Sequence, residues 1–523
     1  MAGAWWREAV IYQIYPRSFQ DANGDGVGDL AGLIKRLGYL QELGADALWL
    51  SPIHPSPMAD YGYDVGDYRD VDPVFGDLDV LKALITVAHD SGMKLILDYV
   101  PNHTSESHPW FVESRGSRDN AKRDWYVWRD PGPDGGPPNN WRSRFGGPAW
   151  TFDSATRQYY YHAFLPEQPD LNWRHPEVLR EMLDVMRFWL DLGVDGFRVD
   201  ALSALYEDEA LRDNPPDPAW TAGMPDSKRH LQLYTTDLPE VHEAVAEMRA
   251  TLDAYPDRVL IGELYLPIAQ LMPYYGKEGK GVHLPFNFHL ILSDWTAAAI
   301  VALIEEYEAA LPPGAWPNWV LGNHDQPRIV ARIGPDQARV AAMLLLTLRG
   351  TPTIYYGDEI GIPLVAIPAE AVLDPVEHSE PGLGRDPART PMAWDSSPHA
   401  GFSTGEPWLP LHADWRTRNV SALSADPHSI LALHRRLIAL RRERPALRLG
   451  GYGALGWEGN CLVFQRTLGN ERLAVALNLG DRPEKSALIP AGARILLSTW
   501  LDRENTLADG MLRPNEGVAL ELR

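Results

Sequence analysis

Cysteine is nearly absent from this chain. A single residue, Cys461, among 523 excludes an internal disulfide framework and fits a reducing, cytoplasmic compartment. Long apolar runs are missing too: nothing approaches the ~18 uninterrupted apolar residues of a membrane-spanning helix. Met1–Trp6 has no charged segment leading into an apolar one, so no signal peptide is expected. Basic residues are the scarcer charge, 48 Lys and Arg against 71 Asp and Glu, for a formal charge of −23. A surface of that sign disfavours nucleic acid and anionic membranes as partners and suits a neutral small molecule or a cation. Internal repeats and low-complexity tracts are lacking as well.

Several catalytic signatures are also missing. No His-x-x-x-His or comparable three-ligand spacing supports a metal hydrolase. Gly24, Gly26 and Gly28 miss the Gly-x-Gly-x-x-Gly spacing of a dinucleotide loop. The one Gly-x-Ser-x-Gly match, Gly401 to Gly405, lies in a Ser-, Pro- and Gly-rich loop without the strand and helix that a nucleophile elbow requires. What the chain does have is apolar residues, 45% of the total, enough for a large core. It also has 19 tryptophans, whose flat faces suit sugar rings as well as cores.

The first two thirds alternate short β-type runs with amphipathic helices. Strands are expected at Val10–Tyr15, Ala47–Ser51, Lys94–Val100, Val194–Val199, Val259–Gly262, Val282–Phe288, Trp319–Gly322 and Thr353–Tyr356. Helices are expected at Leu30–Leu43, Leu78–Ser91, Val178–Leu192, Val241–Ala254, Ala297–Ala310 and Gln337–Leu348. Eight strands alternating with helices predict an α/β fold whose parallel sheet closes into a (β/α)8 TIM barrel. Between His103 and about Asp170, a Trp-, Gly- and Pro-rich stretch with little helical period predicts a small inserted domain after the third strand. After the helix Ile430–Arg442, short alternating runs at Leu462–Arg466, Arg472–Leu477, Ser486–Pro490 and Val518–Leu522 predict a C-terminal all-β domain. The division is a barrel over 1–103 and 171–444, an insert over 104–170, and a β-sandwich over 445–523.

Four of the expected strands end in charged or imidazole residues: Asp98 with His103, Arg198 with Asp200, Glu263, and His324 with Asp325. Residues two apart on a strand share a face, so Arg198 and Asp200 emerge side by side. A parallel barrel gathers such strand ends at one mouth. With metal and serine chemistry unsupported, a carboxylate constellation remains. Glycoside hydrolysis uses two carboxyl groups, one as nucleophile and one as acid then base. Separately, Asp21, Asn23, Asp25, the Val27 carbonyl and Asp29 place oxygens at alternate positions of a glycine-rich turn, as in a calcium loop. Gly32 stands where an EF-hand has Glu, and a strand precedes the loop. The expectation is therefore a structural Ca²⁺, replaceable by Mg²⁺, outside the EF-hand class.

Asp98-Tyr-Val-Pro-Asn-His103, Gly196-Phe-Arg-Val-Asp200, Gly262-Glu263-Leu264 and Asn323-His324-Asp325 resemble the four signature regions of the α-amylase family of glycoside hydrolases (family 13), in order and in strand placement. Trp5-Trp6, Val10 to Phe19, the Asp21 to Asp29 loop, Asp60-Tyr-Gly-Tyr63-Asp64 and Arg389-Thr-Pro-Met-Ala-Trp394 narrow the resemblance to the α-glucosidase and oligo-1,6-glucosidase branch. It covers about the first 440 residues. It implies that Asp200 is the nucleophile, Glu263 the general acid/base, and Asp325 a third acid on the sugar's 2- and 3-hydroxyls. Arg198 is expected to keep Asp200 ionised, with Asp98 orienting Arg198. His103 and His324 would donate to glucose hydroxyls, and Tyr63 would stack under the ring. Asp60 and Arg389 would grip the 4-hydroxyl end, a role Arg385 could share. Ala201, just after the nucleophile, stands where oligo-1,6-glucosidase-like enzymes carry Val and maltase-like ones Thr or Ala.

The activity implied is that of a retaining, exo-acting α-glucosidase on maltose, malto-oligosaccharides and sucrose, with transglucosylation, as monomer or homodimer. The alternatives are an oligo-1,6-glucosidase, or a sucrose isomerase or trehalose synthase using the same constellation. The arginine-rich loop of sucrose isomerases is absent after Asp325, where Gln326-Pro-Arg-Ile-Val-Ala-Arg-Ile333 stands. A non-catalytic heavy-chain subunit of an amino-acid transporter is opposed by the missing membrane segment and the intact acids.

Overall fold

A short β-branched or aromatic run ending near glycine or a polar residue recurs along the chain, and these runs build one closed sheet. The computed structural model describes residues 4–522; Met1–Gly3, part of the stretch read for a signal peptide, lie outside the described residues, as does Arg523. The chain enters the barrel with β1 (Ile11–Ile14), β2 (Ala47–Leu50) and β3 (Lys94–Tyr99). It then departs into a small antiparallel sheet of β4 (Trp128–Arg129), β5 (Trp150–Asp153) and β6 (Gln158–Tyr161), in the order β4-β6-β5. It returns as β7 (Gly196–Val199), β8 (Val259–Leu264), β9 (Leu284–Asn287), β10 (Asn318–Val320) and β11 (Thr351–Tyr355). Parallel pairing of β1 with both β2 and β11 closes the ring, so among the described residues eight strands form the barrel.

Side-chain alternation fills both faces of this sheet. Ile11, Ala47, Trp49, Ile96, Ile261, Phe286 and Val320 make the barrel's own buried cluster, whereas Leu48, Leu50, Leu95, Leu97 and Leu260 join the larger core outside it. The helices Leu30–Leu43 and Ala297–Ala310 have the expected bounds, and the other four differ only at their ends. Local capping explains the bounds. The Asp29 carboxylate accepts the Gly32 N–H at the start of the first helix, and Gly44, at φ 98°, ends it in the left-handed conformation. At the far end of the barrel, buried Asp195 ties the bases of β3, β7 and β8 together. It accepts the Leu95 N–H and meets Lys94, His89 and Arg258.

The insert holds an element its composition concealed, the helix Pro109–Gly116. Proline at its first position and the His108 ring on the Trp110 N–H start it, but two turns are too short to show a period.

The C-terminal part adds β12 (Gly451–Glu458), β13 (Cys461–Leu468), β14 (Glu471–Asn478), β15 (Glu484–Lys485), β16 (Arg494–Ser498), β17 (Met511–Leu512) and β18 (Gly517–Glu521). Five of them pair antiparallel in the order β12-β13-β14-β18-β16, and β15 pairs with β17. The strand expected at Ser486–Pro490 is corrected: the ladder stops at Lys485. The Ser486 hydroxyl accepts the Leu488 N–H and turns the chain, and Pro490 has no N–H to donate. Leu462, Phe464, Leu473 and Val475 face the main core, and Cys461, Val463, Ala474 and Ala476 face an outer cluster. Burial, with Glu484 beside it, pushes the Cys461 thiol up to about 12, so it packs as a small hydrophobe. No helix among the described residues is long and apolar enough to cross a membrane.

Candidate active site

Register places the first charged pair. Asp98 on β3 lies directly across the ladder from Arg198 on β7, and Val199 lies across from Gly262, so Glu263 follows one residue beyond. Arg198 is completely buried and serves three carboxylates at once. Its Nη1 is 2.8 Å from Asp98 Oδ1 and 2.8 Å from Asp200 Oδ1, and its Nη2 is 2.8 Å from Glu263 Oε1. The second Glu263 oxygen accepts the Ala201 N–H at 2.9 Å. Ala201 supplies that N–H from a left-handed backbone, φ 47° and ψ 31°, a strained state for any residue with a Cβ. The left-handed turn aims one N–H at Glu263, beside Asp200.

Arg198 acts to lower the Asp200 pKa, but two other influences oppose it. Burial, and after it the Glu263 carboxylate, raise the Asp200 pKa well above its ordinary value despite Arg198. Burial likewise brings Asp98 to about 6 against the same guanidinium.

The other half of the ring comes from the ends of β10 and β11. Asp325 Oδ1 accepts from Arg389 Nη2 at 3.0 Å and Arg385 Nη1 at 3.3 Å, and its Oδ2 is 3.3 Å from His324 Nε2. Burial pushes Asp325 up, but His324, Arg385 and Arg389 outweigh it and hold the carboxyl below its usual range. The two arginines that could serve the 4-hydroxyl end have different partners. Arg385 Nη2 is the partner of Asp60 Oδ1, at 2.6 Å, whereas Arg389 reaches Asp325 and the His324 carbonyl. Both arginines lie on one turn, four residues apart, and only Arg385 points across to Asp60.

A directed chain of hydrogen bonds orients the rest. Gln13 Nε2 donates to His324 Nδ1 at 2.9 Å, so His324 Nε2 carries the proton and meets the Tyr63 hydroxyl at 2.6 Å. Tyr63 in turn donates to Asp98 Oδ2 at 3.0 Å. Its ring lies parallel to the His324 imidazole, 5.2 Å between centroids. His103 Nε2 contacts the Tyr63 carbonyl at 3.1 Å and Gln168 Nε2 at 3.0 Å. Burial lowers His103 to about 3 and takes His324 well below the ordinary imidazole value, so both act as neutral rings. Among the residues named from sequence, Asp60, Tyr63, Asp98, His103, Arg198, Asp200, Ala201, Glu263, His324, Asp325 and Arg389 thus form one connected site.

Two contributors were not foreseen. Gln168, fully buried and supplied by the insert, donates to Asp60 Oδ2 at 3.2 Å. Tyr265, 41% exposed, stacks on Phe288 at 3.8 Å and 10°. Tyr265 stands two residues beyond Glu263, and that spacing along a strand was the available signal.

The Asp21 to Asp29 loop is held by its own hydrogen bonds. Asp21 accepts the Asn23, Gly24 and Gly26 N–H groups and the Ser403 hydroxyl. Asn23 and Asp25 each accept the N–H two residues on, and Asp29 accepts from Ala22 and Gly32. Gly26, at φ 90°, leaves no room for a Cβ, which would lie 1.9 Å from the Glu406 carbonyl. Among the described residues no three His, Cys, Asp or Glu side chains converge as a metal cluster. The oxygen-only donor set of Asp21, Asn23, Asp25, Val27 and Asp29 nonetheless suits a hard cation, which would displace some of these turn hydrogen bonds.

Comparison with known proteins decides the family. Residues 13–450 match the family model described as the α-amylase catalytic domain. The chain belongs to the α-amylase family of glycoside hydrolases. Residues 448–518 of this family member match a domain of unknown function (DUF3459). It is 43% identical over 494 residues to a probable α-glucosidase of Rhizobium meliloti (strain 1021), covering 91% of this chain and 90% of the relative. An oligo-1,6-glucosidase of Parageobacillus thermoglucosidasius is 38% identical over the full length of both. The crystal structure of XgtA, an α-glucosyl transfer enzyme, superposes with a TM-score of 0.94 at 41% identity, covering all of both chains.

Proposed function

We propose that this family member is a retaining, exo-acting α-glucosidase that removes α-glucose from the non-reducing end of short α-glucosides. The observation that carries the reading is the Arg198 hub. It holds Asp200 and Glu263 side by side, while Asp60 and Arg385 close the ring opposite. An Asp200 oxygen attacks the anomeric carbon as Glu263 gives its proton to the departing oxygen. Water then attacks the same carbon, Glu263 takes that water's proton, and the bond to Asp200 breaks. Asp325, held ionised by two arginines, would accept from the 2- and 3-hydroxyls. Neutral His103 and His324 would share their Nε2 protons with other hydroxyls, and Asp60 with Arg385 would hold the 4-hydroxyl end.

A pH profile tests the charge arrangement. Asp200 must be ionised to attack and its pKa is raised, so the reactive form is lost as pH falls through a value above the ordinary ~3.9. The acid limb of kcat/KM is expected above that value. A limb at or below about 4 would show that Arg198 dominates after all.

Linkage preference rests on Ala201. Its single methyl leaves room that a β-branched Val would fill, and Val would be further disfavoured at φ 47°. Maltose and sucrose are expected to be better substrates than isomaltose by up to the ~1–3 kcal/mol that one such contact discriminates. Ala201→Val should move the maltose-to-isomaltose ratio of kcat/KM toward isomaltose. Product analysis on maltose, isomaltose, sucrose and trehalose checks this, and a wild-type preference for isomaltose of about tenfold would place linkage control elsewhere.

A second reading, glucosyl transfer, is favoured by the Tyr265–Phe288 stack. It offers an acceptor sugar an aromatic face beside Glu263, and the similar XgtA is an α-glucosyl transfer enzyme. Oligosaccharide products growing in with substrate concentration would reveal it.

The reading includes a structural Ca²⁺, or Mg²⁺, at Asp21, Asn23, Asp25, Val27 and Asp29, where it would tie down the loop after β1. Metal analysis of purified protein should find one divalent ion, and chelation should lower Tm more than it lowers turnover measured in the cold. No ion and no change of Tm would leave the loop a hydrogen-bonded turn. A cytoplasmic location completes the reading, supported by the single buried thiol.

A further inference from the structure

Three segments distant in sequence meet beside the Asp60 end of the pocket. The first is the 142–147 turn of the insert. Its Phe145 ring lies 4.9 Å from the Arg385 guanidinium carbon and packs edge-on against Phe164 at 5.3 Å, and Phe164 contacts His103 at 5.2 Å. Phe145 therefore covers the place where Arg385, Asp60 and His103 converge. The other two segments hold that turn from behind. Asp226, on the long connection after β7, accepts the Gly147 N–H at 3.1 Å and an Arg142 guanidinium N–H. Glu380, on the connection after β11 that also carries Arg385, accepts the Ser227 N–H at 2.8 Å and the Ser227 hydroxyl at 3.3 Å. Its side chain also lies against Gly146, at φ 86°, where a Cβ would sit 2.8 Å from Glu380 Oε1.

Glu380 is only 7% exposed. A carboxylate that dry is costly unless its hydrogen bonds are satisfied, and it has no part in the proposed chemistry. Its bonds to Ser227, its contact with Gly146 and the bonds of Asp226 to the turn hold the turn, the connection after β7 and the connection carrying Arg385 together.

We propose that Glu380 and Asp226 are positioning residues for chain-length specificity. Together they latch the Phe145 turn over Arg385 and seal the pocket behind the 4-hydroxyl of the terminal glucose. An α-1,4-glucan that continues beyond that hydroxyl is thereby excluded. The inference rests on the exo-acting reading above and adds the residues that enforce it.

The test uses p-nitrophenyl maltoheptaoside in two forms, one with a free non-reducing end and one with its terminal 4- and 6-hydroxyls bridged by an ethylidene group. Chromatography reads the cleavage. The wild-type enzyme is expected to consume the free form and leave the blocked one intact. If it cleaves the blocked form, the exo-acting reading itself fails. The Asp226→Ala/Glu380→Ala enzyme is expected to cleave the blocked form at least tenfold above the wild-type background. Glu380→Gln, which keeps an acceptor for the Ser227 N–H, should behave as wild type. Loosened folding can lower activity on every substrate but does not create a new one, so this gain separates a latch from general support. A folded double variant without the gain overturns the proposal. If the double variant does not fold, Gly146→Ala presses on the same contact from the turn's side, and its failure to gain blocked-substrate cleavage overturns the proposal equally.

Discussion

Asp200→Asn is expected to lower kcat by about 10⁴-fold or more, the scale on which loss of a nucleophile acts in other hydrolases. The amide keeps the shape of the carboxylate and an oxygen for the Arg198 Nη1 contact of 2.8 Å. Arg198 also retains Asp98 and Glu263, so the end of β7 should keep its place and Tm should change little. What disappears is the oxygen able to bond to the anomeric carbon. The wild-type enzyme should release α-glucose first, as a double displacement demands, and proton NMR at early times reads this directly. Early β-glucose, or an Asp200→Asn enzyme retaining more than about 1% of kcat, would overturn the mechanism.

Glu263→Gln should separate substrates by their leaving groups. On maltose, whose departing alkoxide needs a proton, kcat/KM should fall by about 10²–10⁴-fold. On p-nitrophenyl α-glucoside, which departs without one, kcat/KM should fall far less, while kcat drops because the second step still needs a base. Azide should restore turnover and yield α-glucosyl azide, since it needs no proton removed. Equal losses on both substrates, with no azide product, would take the acid/base role away from Glu263.

Much of this protein was legible locally. Each barrel strand is a run of apolar residues whose alternation serves two cores, and Asp98, Asp200, Glu263 and Asp325 were conspicuous because each interrupts such a run at its end. What escaped was short or capped by single contacts. The Pro109–Gly116 helix has too few turns to show a period, and one serine hydroxyl, not composition, stops the strand before Ser486. Arg385 and Arg389 look equivalent in sequence, two basic residues four apart on one loop. Their assignment turned on a contact to Asp60, 325 residues away.

The sequence by itself determined the barrel's alternation of strands and helices, the insert after the third strand, the all-β end and the strand-end places of the acids, because side-chain period, capping and strand-end position depend on near neighbours. Only the tertiary structure decided which charges meet and how dry they are. Arg198 faces three carboxylates from three strands, burial raises Asp200 against it, and Arg385 rather than Arg389 takes Asp60. Coulomb attraction and desolvation act through distances across the closed ring, and closure sets those distances between residues far apart in the chain.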